Sequence, residues 1–195
     1  WDKHERTIVS NESAEIVRML NSAFDGVGAN NNDYYPRELR AEIDEQNAFI
    51  YPNVNNGVYR AGFATTQDAY EEAAKALFAA LDRLEGRLAT RRFLTGDRFT
   101  EADIRLFTTL IRFDPVYNVH FKCNVRRVID YPNLWGFVRD VYQMTGVADT
   151  VHIDFIKRHY YSSHANLNPS RIVPIGPELN YETPHGRERL AARGN

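Results

Sequence analysis

The stretch Phe99-Thr100-Glu101-Ala102-Asp103-Ile104 contains all the residues of a helix start. The Thr100 hydroxyl can accept a hydrogen bond from a free amide of the first turn, and Asp103 can accept one from the Thr100 amide. Phe99 can pack onto Ile104 as a hydrophobic staple across the same turn. The pattern therefore predicts a helix that begins at this point and buries the apolar residues that follow it.

The composition is that of a globular chain without a marked charge. The 195 residues are 43% hydrophobic and carry a net charge of -2, with basic and acidic residues spread along the sequence. The sequence has no block of basic residues of the kind that binds nucleic acid. Its apolar runs are all shorter than the roughly 20 residues that a membrane-spanning helix needs. One cysteine and no signal peptide favour a reducing, cytoplasmic location. Trp1, in place of Met, indicates a piece of a longer protein.

The order of sequence patterns predicts an all-α protein with a short α/β remnant at its start. Residues 1–9 favour a strand end and a turn, and Ser10 or Asn11 can cap the short helix that follows. A Gly- and Asn-rich linker then covers residues 26–35. We therefore expect the end of an α/β domain over residues 1–25, a helical bundle over residues 36–164 and an extended tail over residues 165–195.

Within the bundle, the strongest helical pattern covers residues 65–88, where Ala and Leu recur at helical spacing and Thr65 or Thr66 can cap the first turn. Further helices are predicted over residues 36–51, 133–146 and 149–164. Pro52 and Gly57 interrupt the periodicity between the first two helices, so a break is expected there.

The histidines could be metal ligands and Cys123 could be a nucleophile, but the sequence supports both roles only weakly. The six histidines include His152, His159 and His164, but no carboxylate pair completes a metal-ligand set, so no metal site is predicted. Cys123 has basic neighbours that could lower a thiol pKa, yet it lacks an adjacent base and follows a helix. A structural thiol is the better interpretation of Cys123.

Tyrosines and one helix start are the stronger candidates for ligand binding. Tyr59 lies between two glycines, where the backbone can approach a ligand, and Tyr160 and Tyr161 follow one another near the end of a predicted helix. Phenols can stack on an aromatic substrate and donate to a developing oxyanion. Glu12 and Ser13 lie at a helix N-terminus, where free amides suit a carboxylate and Glu12 suits an ammonium group. Ordinary core or surface tyrosines and a simple helix cap remain the alternatives.

Several segments together resemble the glutathione transferases, and more narrowly the Xi class, the glutathionyl-hydroquinone reductases. The transferase-wide part is the Thr-x-x-Asp cap within "FLTGDRFTEADIRLF". The stretches "GVYRAGFATTQ", "RFDPVYNVHFKC" and "NPSRIVPIGP" resemble the reductase group in particular. The segment "DYPNLWGFVRDVYQM" and the "PHGR" of the tail also contribute to the resemblance. The resemblance covers nearly the whole chain.

The resemblance implies a GST C-terminal-like helical bundle preceded by the end of a thioredoxin-like domain. It implies glutathione as co-substrate, with no metal, and a glutathionyl-hydroquinone as substrate: a cysteine of a Cys-Pro-Trp motif attacks the conjugate sulfur and releases the hydroquinone, and a second glutathione resolves the mixed disulfide. By the same resemblance, Glu12 and Ser13 hold the γ-glutamyl group, Tyr59 and Tyr160 bind the hydroquinone oxygens, and the protein is a homodimer. Cys-Pro-Trp is absent from this sequence, so the chain as given is expected to lack the catalytic thiol and to be inactive alone.

Two alternative functions are retained. The first is a more general glutathione transferase or thiol-transferase that acts on a different electrophile. The second is a non-catalytic, transferase-like interaction module, because helical domains of this kind are also used in assembly.

Overall fold

A computed structural model describes residues 1–30 and 32–191, and over these residues the chain is a bundle of helices. The helices are α1 (Ser13–Leu20), α2 (Arg40–Ile50), α3 (Gly57–Gly62), α4 (Gln67–Leu88), α5 (Glu101–Arg112), α6 (Asn118–His120), α7 (Pro132–Tyr142) and α8 (Ile153–Ser163). Short 3-10 turns lie at Arg37–Leu39, Val128–Asp130, Ala148–Thr150 and Glu188–Leu190. The predicted helical bundle is confirmed. No helix of the described residues is long and apolar enough to cross a bilayer.

The predicted strand end at residues 1–9 is not found among the described residues. This segment forms a turn closed by an isolated bridge between Asp2 and Thr7, since the described part of the chain has no strand with which it could pair. The short helix predicted to follow is present as α1, and it has no buried residue. Its apolar side chains are substantially exposed, with Met19 at 38% and Leu20 at 57%.

The long helix α4 forms the centre of the core. Thr66 caps it by accepting a hydrogen bond from the Ala69 amide at 3.3 Å, as predicted for the Thr65–Thr66 pair. The predicted Ala and Leu stripe is buried along most of its length, where α4 packs against α3 and α7. The buried members of the stripe are Ala73, Leu77, Ala80, Leu81, Leu84 and Leu88.

The helix start at Thr100 is formed as predicted, and it connects to a second segment of the chain. Thr100 and Asp103 make a capping box at the start of α5. The Asp103 carboxylate accepts hydrogen bonds from the Thr100 amide at 2.9 Å, the Thr100 hydroxyl at 3.0 Å and the Leu94 amide at 2.8 Å. Burial raises the pKa of Asp103 to about 6, so the carboxylate is still ionised at neutral pH and can accept all three bonds.

The predicted break at Pro52 and Gly57 is wrong, because the chain remains helical there. Residues Tyr51–Asn55 form a π-helical turn that continues α2, and α3 follows after one residue. The wider turn accommodates Pro52, and the Asn56 amide reaches back to the Tyr51 carbonyl at 2.8 Å. A second proline-containing π turn, Phe113–Tyr117, continues α5. Such turns are frequent at functional sites, and these two precede or contain tyrosines of the site.

The last described segment of the chain, residues 165–191, lies over the bundle and contains only one short 3-10 turn, at Glu188–Leu190. It is anchored near its end by Arg187, whose side chain is buried. Residues 192–195 of the predicted tail lie outside the described residues. The anchor joins the tail to the C-terminal end of α4 and to α7.

Gly62 allows the closest contact between α3 and the segment after α6. A Cβ atom placed on Gly62 would lie 2.3 Å from the ring of Phe121, whereas one on Gly86, in α4, would meet nothing within 4 Å. We expect Gly62→Ala to lower the free energy of unfolding by about 1–3 kcal/mol, because the Phe121 ring has to move in a packed core. Gly86→Ala is the matched control and should raise it by up to about 1 kcal/mol. Urea unfolding measures both; equal effects of the two variants would contradict the packing argument.

Candidate functional site

One large cavity, of about 1040 Å³, brings the four predicted site residues together. Its wall is formed by the start of α1, the C-terminal part of α2 with the following π turn, α3, α5 and α8. Glu12 and Ser13 line it from α1, Tyr59 from α3 and Tyr160 from α8. The volume is at the upper end of the roughly 300–1,000 Å³ of small-molecule sites, so a ligand with two distinct parts can be accommodated.

Three tyrosines form a hydrogen-bonded row along the cavity. The Tyr160 hydroxyl lies 2.6 Å from that of Tyr59 and 2.9 Å from that of Tyr117, and all three residues line the cavity. Their exposure differs: Tyr59 is 37% exposed, Tyr160 is 9% exposed and Tyr117 is 2% exposed. We call these three residues the tyrosine row.

The tyrosine row has one more proton than it has internal hydrogen bonds. Three hydroxyls carry three protons, and the two bonds between them use two. Tyr117 is the most buried member, and its best acceptor is Tyr160, which can in turn donate to Tyr59. The half-exposed Tyr59 hydroxyl then keeps its own proton for a ligand, polarised by the two bonds behind it.

Burial keeps the two inner phenols protonated. It raises the pKa of Tyr160 to about 12, although the hydrogen bond with Tyr117 acts in the opposite direction. It also raises the pKa of Tyr117, and Tyr160 and Tyr59 add to that rise. Both are therefore neutral hydrogen-bond donors at physiological pH. This arrangement is suited to stabilising charge on a ligand oxygen, and it is poorly suited to removing a proton as a phenolate.

Tyr117 was not identified from the sequence, although it lies in the stretch "RFDPVYNVHFKC". Tyr117 is the last residue of the π turn Phe113–Tyr117. The wider turn gives its side chain a different direction from the one it would have in an ordinary α-helix. A proline inside an otherwise helical pattern, Pro115, is the only local signal for it. Tyr161, by contrast, is buried beside the His120 ring at 4.6 Å and does not belong to the described lining of the cavity.

The start of α1 forms the other polar part of the cavity. Glu12 occupies the N-cap position, in place of the predicted Ser10 or Asn11, and both Glu12 and Ser13 are exposed. The Ser10 hydroxyl accepts a hydrogen bond from the Glu12 amide at 3.1 Å and donates to Glu15 at 2.6 Å. The Glu12 carboxylate is therefore not needed by the helix cap and can contact a ligand.

A buried carboxylate connects α1 to the bundle beside this polar part. Glu101, the first residue of α5, is 2% exposed and is held by three side chains. Arg18 of α1 donates to it at 3.1 Å, Arg105 of α5 at 2.6 Å and Asn47 of α2 at 3.0 Å. Arg18 also pairs with Asp44 at 2.5 Å. These contacts fix α1 relative to α2 and α5, and hence Glu12 and Ser13 relative to the cavity.

Cys123 lies in the core, in agreement with the predicted structural thiol. It is fully buried, with its sulfur 3.9 Å from the Val58 carbonyl oxygen and 3.8 Å from that of Phe121. Burial raises the pKa of Cys123 to about 12. A thiol in this environment is protonated at neutral pH and is not accessible to a substrate.

Alkylation of Cys123 tests this assignment directly. In the folded chain at pH 8 we expect labelling by iodoacetamide to be slower than that of a free cysteine by a factor of about 1,000 or more, since the raised pKa alone removes that share of the thiolate. Mass spectrometry measures the rate, and the same chain in concentrated urea is the control. Labelling at the same rate in both conditions would show that the thiol is not buried.

Within the described residues, no group of three or more His, Cys, Asp and Glu side chains is arranged to hold a metal ion. The closest histidine contact lies between His120 and His164, whose ring nitrogens are 3.0 Å apart. Desolvation lowers the pKa of both imidazoles, and in each a neighbouring histidine adds to the effect. The pair therefore favours the neutral state, in which one ring donates to the other.

Comparison with known proteins identifies the family to which this chain is related. The glutathione S-transferase C-terminal domain model matches residues 67–140. Curated relatives include two proteins named glutathionyl-hydroquinone reductase. The one from Escherichia coli is 58% identical, covering 96% of this chain and 57% of the relative. The one from Sphingobium chlorophenolicum is 59% identical, covering 91% and 56%. The chain thus spans somewhat more than half the length of these relatives.

Solved structures agree with this assignment. The glutathione-bound structure of an Escherichia coli glutathione transferase homolog superimposes with a TM-score of 0.92 at 58% identity, covering 96% of this chain and 61% of that one. A Xi-class transferase from Natrialba magadii gives a TM-score of 0.93 at 50% identity, covering 97% and 58%. With this fold, this cavity and these relatives, the chain belongs to the Xi class, the glutathionyl-hydroquinone reductase group, of the glutathione S-transferases.

Proposed function

We propose that this chain supplies the ligand-binding cavity of an enzyme that uses glutathione to release hydroquinones from glutathionyl-hydroquinones. The observation that carries the proposal is the lining of the one cavity by the tyrosine row and by the start of α1. The two sets of groups match the two parts of such a conjugate, an aromatic diol and a charged tripeptide. The reductase names and the glutathione-bound structure among the relatives support the same reaction.

The start of α1 binds the γ-glutamyl end in this proposal. The Glu12 carboxylate pairs with the ligand ammonium group, and the Ser13 hydroxyl donates to the ligand carboxylate. The first amides of α1 point in the same direction and carry the partial positive charge of a helix N-terminus. Both roles depend on the position of α1, which Arg18 fixes through Glu101 and Asp44.

The tyrosine row binds the ring oxygens. When a thiolate attacks the conjugate sulfur, a sulfur–sulfur bond forms and the carbon–sulfur bond breaks. Before the attack, a proton moves from the adjacent ring hydroxyl to the sulfur-bearing carbon. The electron pair of the breaking bond then restores the aromatic ring, and its negative charge passes to that ring oxygen, which finally takes up a proton. Tyr59, with Tyr160 and Tyr117 behind it, donates a hydrogen bond to such an oxygen and stabilises the departing hydroquinone.

The attacking thiol belongs elsewhere in the protein. Cys123 is buried in the core and its pKa is raised by burial, so we assign it no part in the reaction. We propose that residues 1–25 are the end of a thioredoxin-like domain that carries the nucleophilic cysteine, and that the chain alone is inactive. The exposed apolar side of α1, including Met19 and Leu20, supports this, since it offers a surface on which such a domain can pack.

The remaining domain bounds follow from the same assignment. Residues 26–35 are the linker, residues 36–164 the helical domain and residues 165–195 the tail. We further propose a cytoplasmic homodimer, for which the family resemblance is the support.

Turnover of glutathionyl-menadiol by the full-length protein tests the proposal. With excess glutathione we expect menadiol and oxidised glutathione to be released in equal amounts. Anaerobic chromatography measures both products. Cys123→Ala should leave the rate within a factor of about two, because the thiol takes no part. No turnover by a folded protein with an intact nucleophilic cysteine would refute the reductase assignment, and loss of turnover in folded Cys123→Ala would refute the placement of the nucleophile.

A further inference from the structure

We propose that Asn47 and Arg105 form a binding site for a peptide amide of the glutathionyl ligand, between the start of α1 and the tyrosine row. The inference rests on the proposed function, since it concerns the same ligand. Both residues line the cavity, Asn47 from α2 and Arg105 from α5. Neither was identified from the sequence.

Each of the two side chains has a buried polar atom without a protein partner. Asn47 is 8% exposed, and its Oδ1 has no hydrogen-bond partner among the described residues. The Arg105 Nε is likewise buried and unpaired within the described part of the chain. A buried polar group that stays unsatisfied is costly, so an acceptor and a donor in one cavity wall indicate an external partner.

The Glu101 carboxylate determines how the two side chains are oriented. It can only accept hydrogen bonds at neutral pH, so the Asn47 amide must turn its Nδ2 toward it, at 3.0 Å, and its Oδ1 away. A terminal nitrogen of Arg105 contacts the same oxygen of Glu101 at 2.6 Å. Because both side chains share one carboxylate oxygen, they lie next to each other in the cavity wall.

A peptide amide is the ligand group that fits this pair. Its N–H can donate to the Asn47 Oδ1 while its carbonyl, or that of the adjoining amide, accepts from the Arg105 Nε. A neutral group is also favoured by the local charge: the two arginines, Arg18 and Arg105, are balanced by Glu101 and Asp44. A carboxylate would add an unbalanced negative charge at this point.

Because of its position, we expect the Asn47–Arg105 pair to contact the peptide part of the ligand and not its ring. Glu101 binds Asn47 and Arg105 on one side and Arg18 of α1 on the other, so the pair lies beside α1. In the proposed binding mode, the γ-glutamyl group is held by Glu12 and Ser13, and the amides that follow it extend from there toward the tyrosine row. Glutathione has two such amides, and the ring hydroxyls are bound by the tyrosines.

Calorimetric titration of the full-length protein with glutathione and, separately and anaerobically, with menadiol tests the inference. Arg105→Lys keeps the charge beside Glu101 and removes the Nε donor, and Asn47→Leu removes the acceptor at nearly constant volume. We expect each variant to weaken glutathione binding about 5- to 10-fold and to leave menadiol binding unchanged. Arg87→Lys is the matched control, since Arg87 is similarly buried and paired with Glu42 but is remote from the cavity.

Glutathione analogues that are N-methylated at one amide or the other complete the test. For the unaltered full-length protein, one of the two analogues should bind about 5- to 10-fold more weakly than glutathione, and this difference should vanish in Asn47→Leu. Unchanged glutathione binding in both folded variants, an effect on menadiol alone, or a methylation effect that persists in Asn47→Leu would each overturn the inference. If the unaltered full-length protein binds neither glutathione nor menadiol, the proposed function itself fails, and the two failures are thereby distinguished.

Discussion

Arg187→Ala is expected to lower the free energy of unfolding by about 3–5 kcal/mol, the largest stability effect that we expect from a single substitution in this chain. The guanidinium group is 3% exposed and donates to four backbone carbonyls. Three of these lie at the end of α4 and just beyond it, at Leu88, Arg91 and Arg92, and the fourth is at Asn133. Removal of the side chain leaves buried carbonyls without a donor and frees the tail from the bundle.

The neighbouring Arg189→Ala is the matched control, because Arg189 lies in the same turn but is exposed. Its loss should change the free energy of unfolding by less than about 0.5 kcal/mol. Arg187→Lys should recover only part of the stability, since an ammonium group cannot reach four carbonyls in the fixed geometry of a guanidinium. Urea unfolding followed by circular dichroism gives all three values. Equal effects of Arg187→Ala and Arg189→Ala would show that the tail is not anchored in this way.

The double substitution Tyr59→Phe/Tyr160→Phe is expected to have the largest effect on activity, a loss of about 100-fold or more in the turnover of glutathionyl-menadiol by the full-length protein. It removes the hydroxyl that faces the ligand and the one that polarises it, and leaves both rings in place. The effect should fall on the rate of release more than on the binding of glutathione, because the charge on the ring oxygen develops only as the carbon–sulfur bond breaks.

Tyr161→Phe is the control for the tyrosine variants, since it is a buried tyrosine adjacent in sequence but outside the described cavity lining. Its turnover should stay within a factor of about two of the unaltered protein. The single variants should each lose less than the double variant, and their effects should not multiply, because the two hydroxyls act as one row. Full turnover by the folded double variant would remove the tyrosines from the mechanism.

Local sequence signals were sufficient for most of the bundle. The Thr100–Asp103 capping box, the cap at Thr66 and the apolar stripe of α4 each depend on residues within one or two turns, and the structure has all of them. The prediction is wrong at Pro52, where the proline indicates a helix end. The chain instead widens to a π turn, because the helices on either side are held by the core and the turn costs less than a break in their packing.

The residues of the candidate site were only partly predictable, since several depend on contacts between distant segments. Glu101 is a plausible first-turn acid by sequence, but its partners Arg18 and Asn47 are 83 and 54 residues away. Arg187 meets its carbonyl partners across as many as 99 residues. Neither pairing leaves a periodic or motif-like signal. The family resemblance supplied Glu12, Ser13, Tyr59 and Tyr160, whereas Tyr117 required the geometry of the π turn.

The central claim is that one cavity binds the two parts of the conjugate at two separate places. The affinity of the full-length protein for menadiol and for glutathione, each measured alone by calorimetry, tests it in two variants. We expect Tyr59→Phe/Tyr160→Phe to weaken menadiol binding about tenfold or more and to spare glutathione, and Glu12→Gln/Ser13→Ala to do the reverse. If both variants weakened both ligands equally, or neither variant weakened either ligand, the claim would be contradicted.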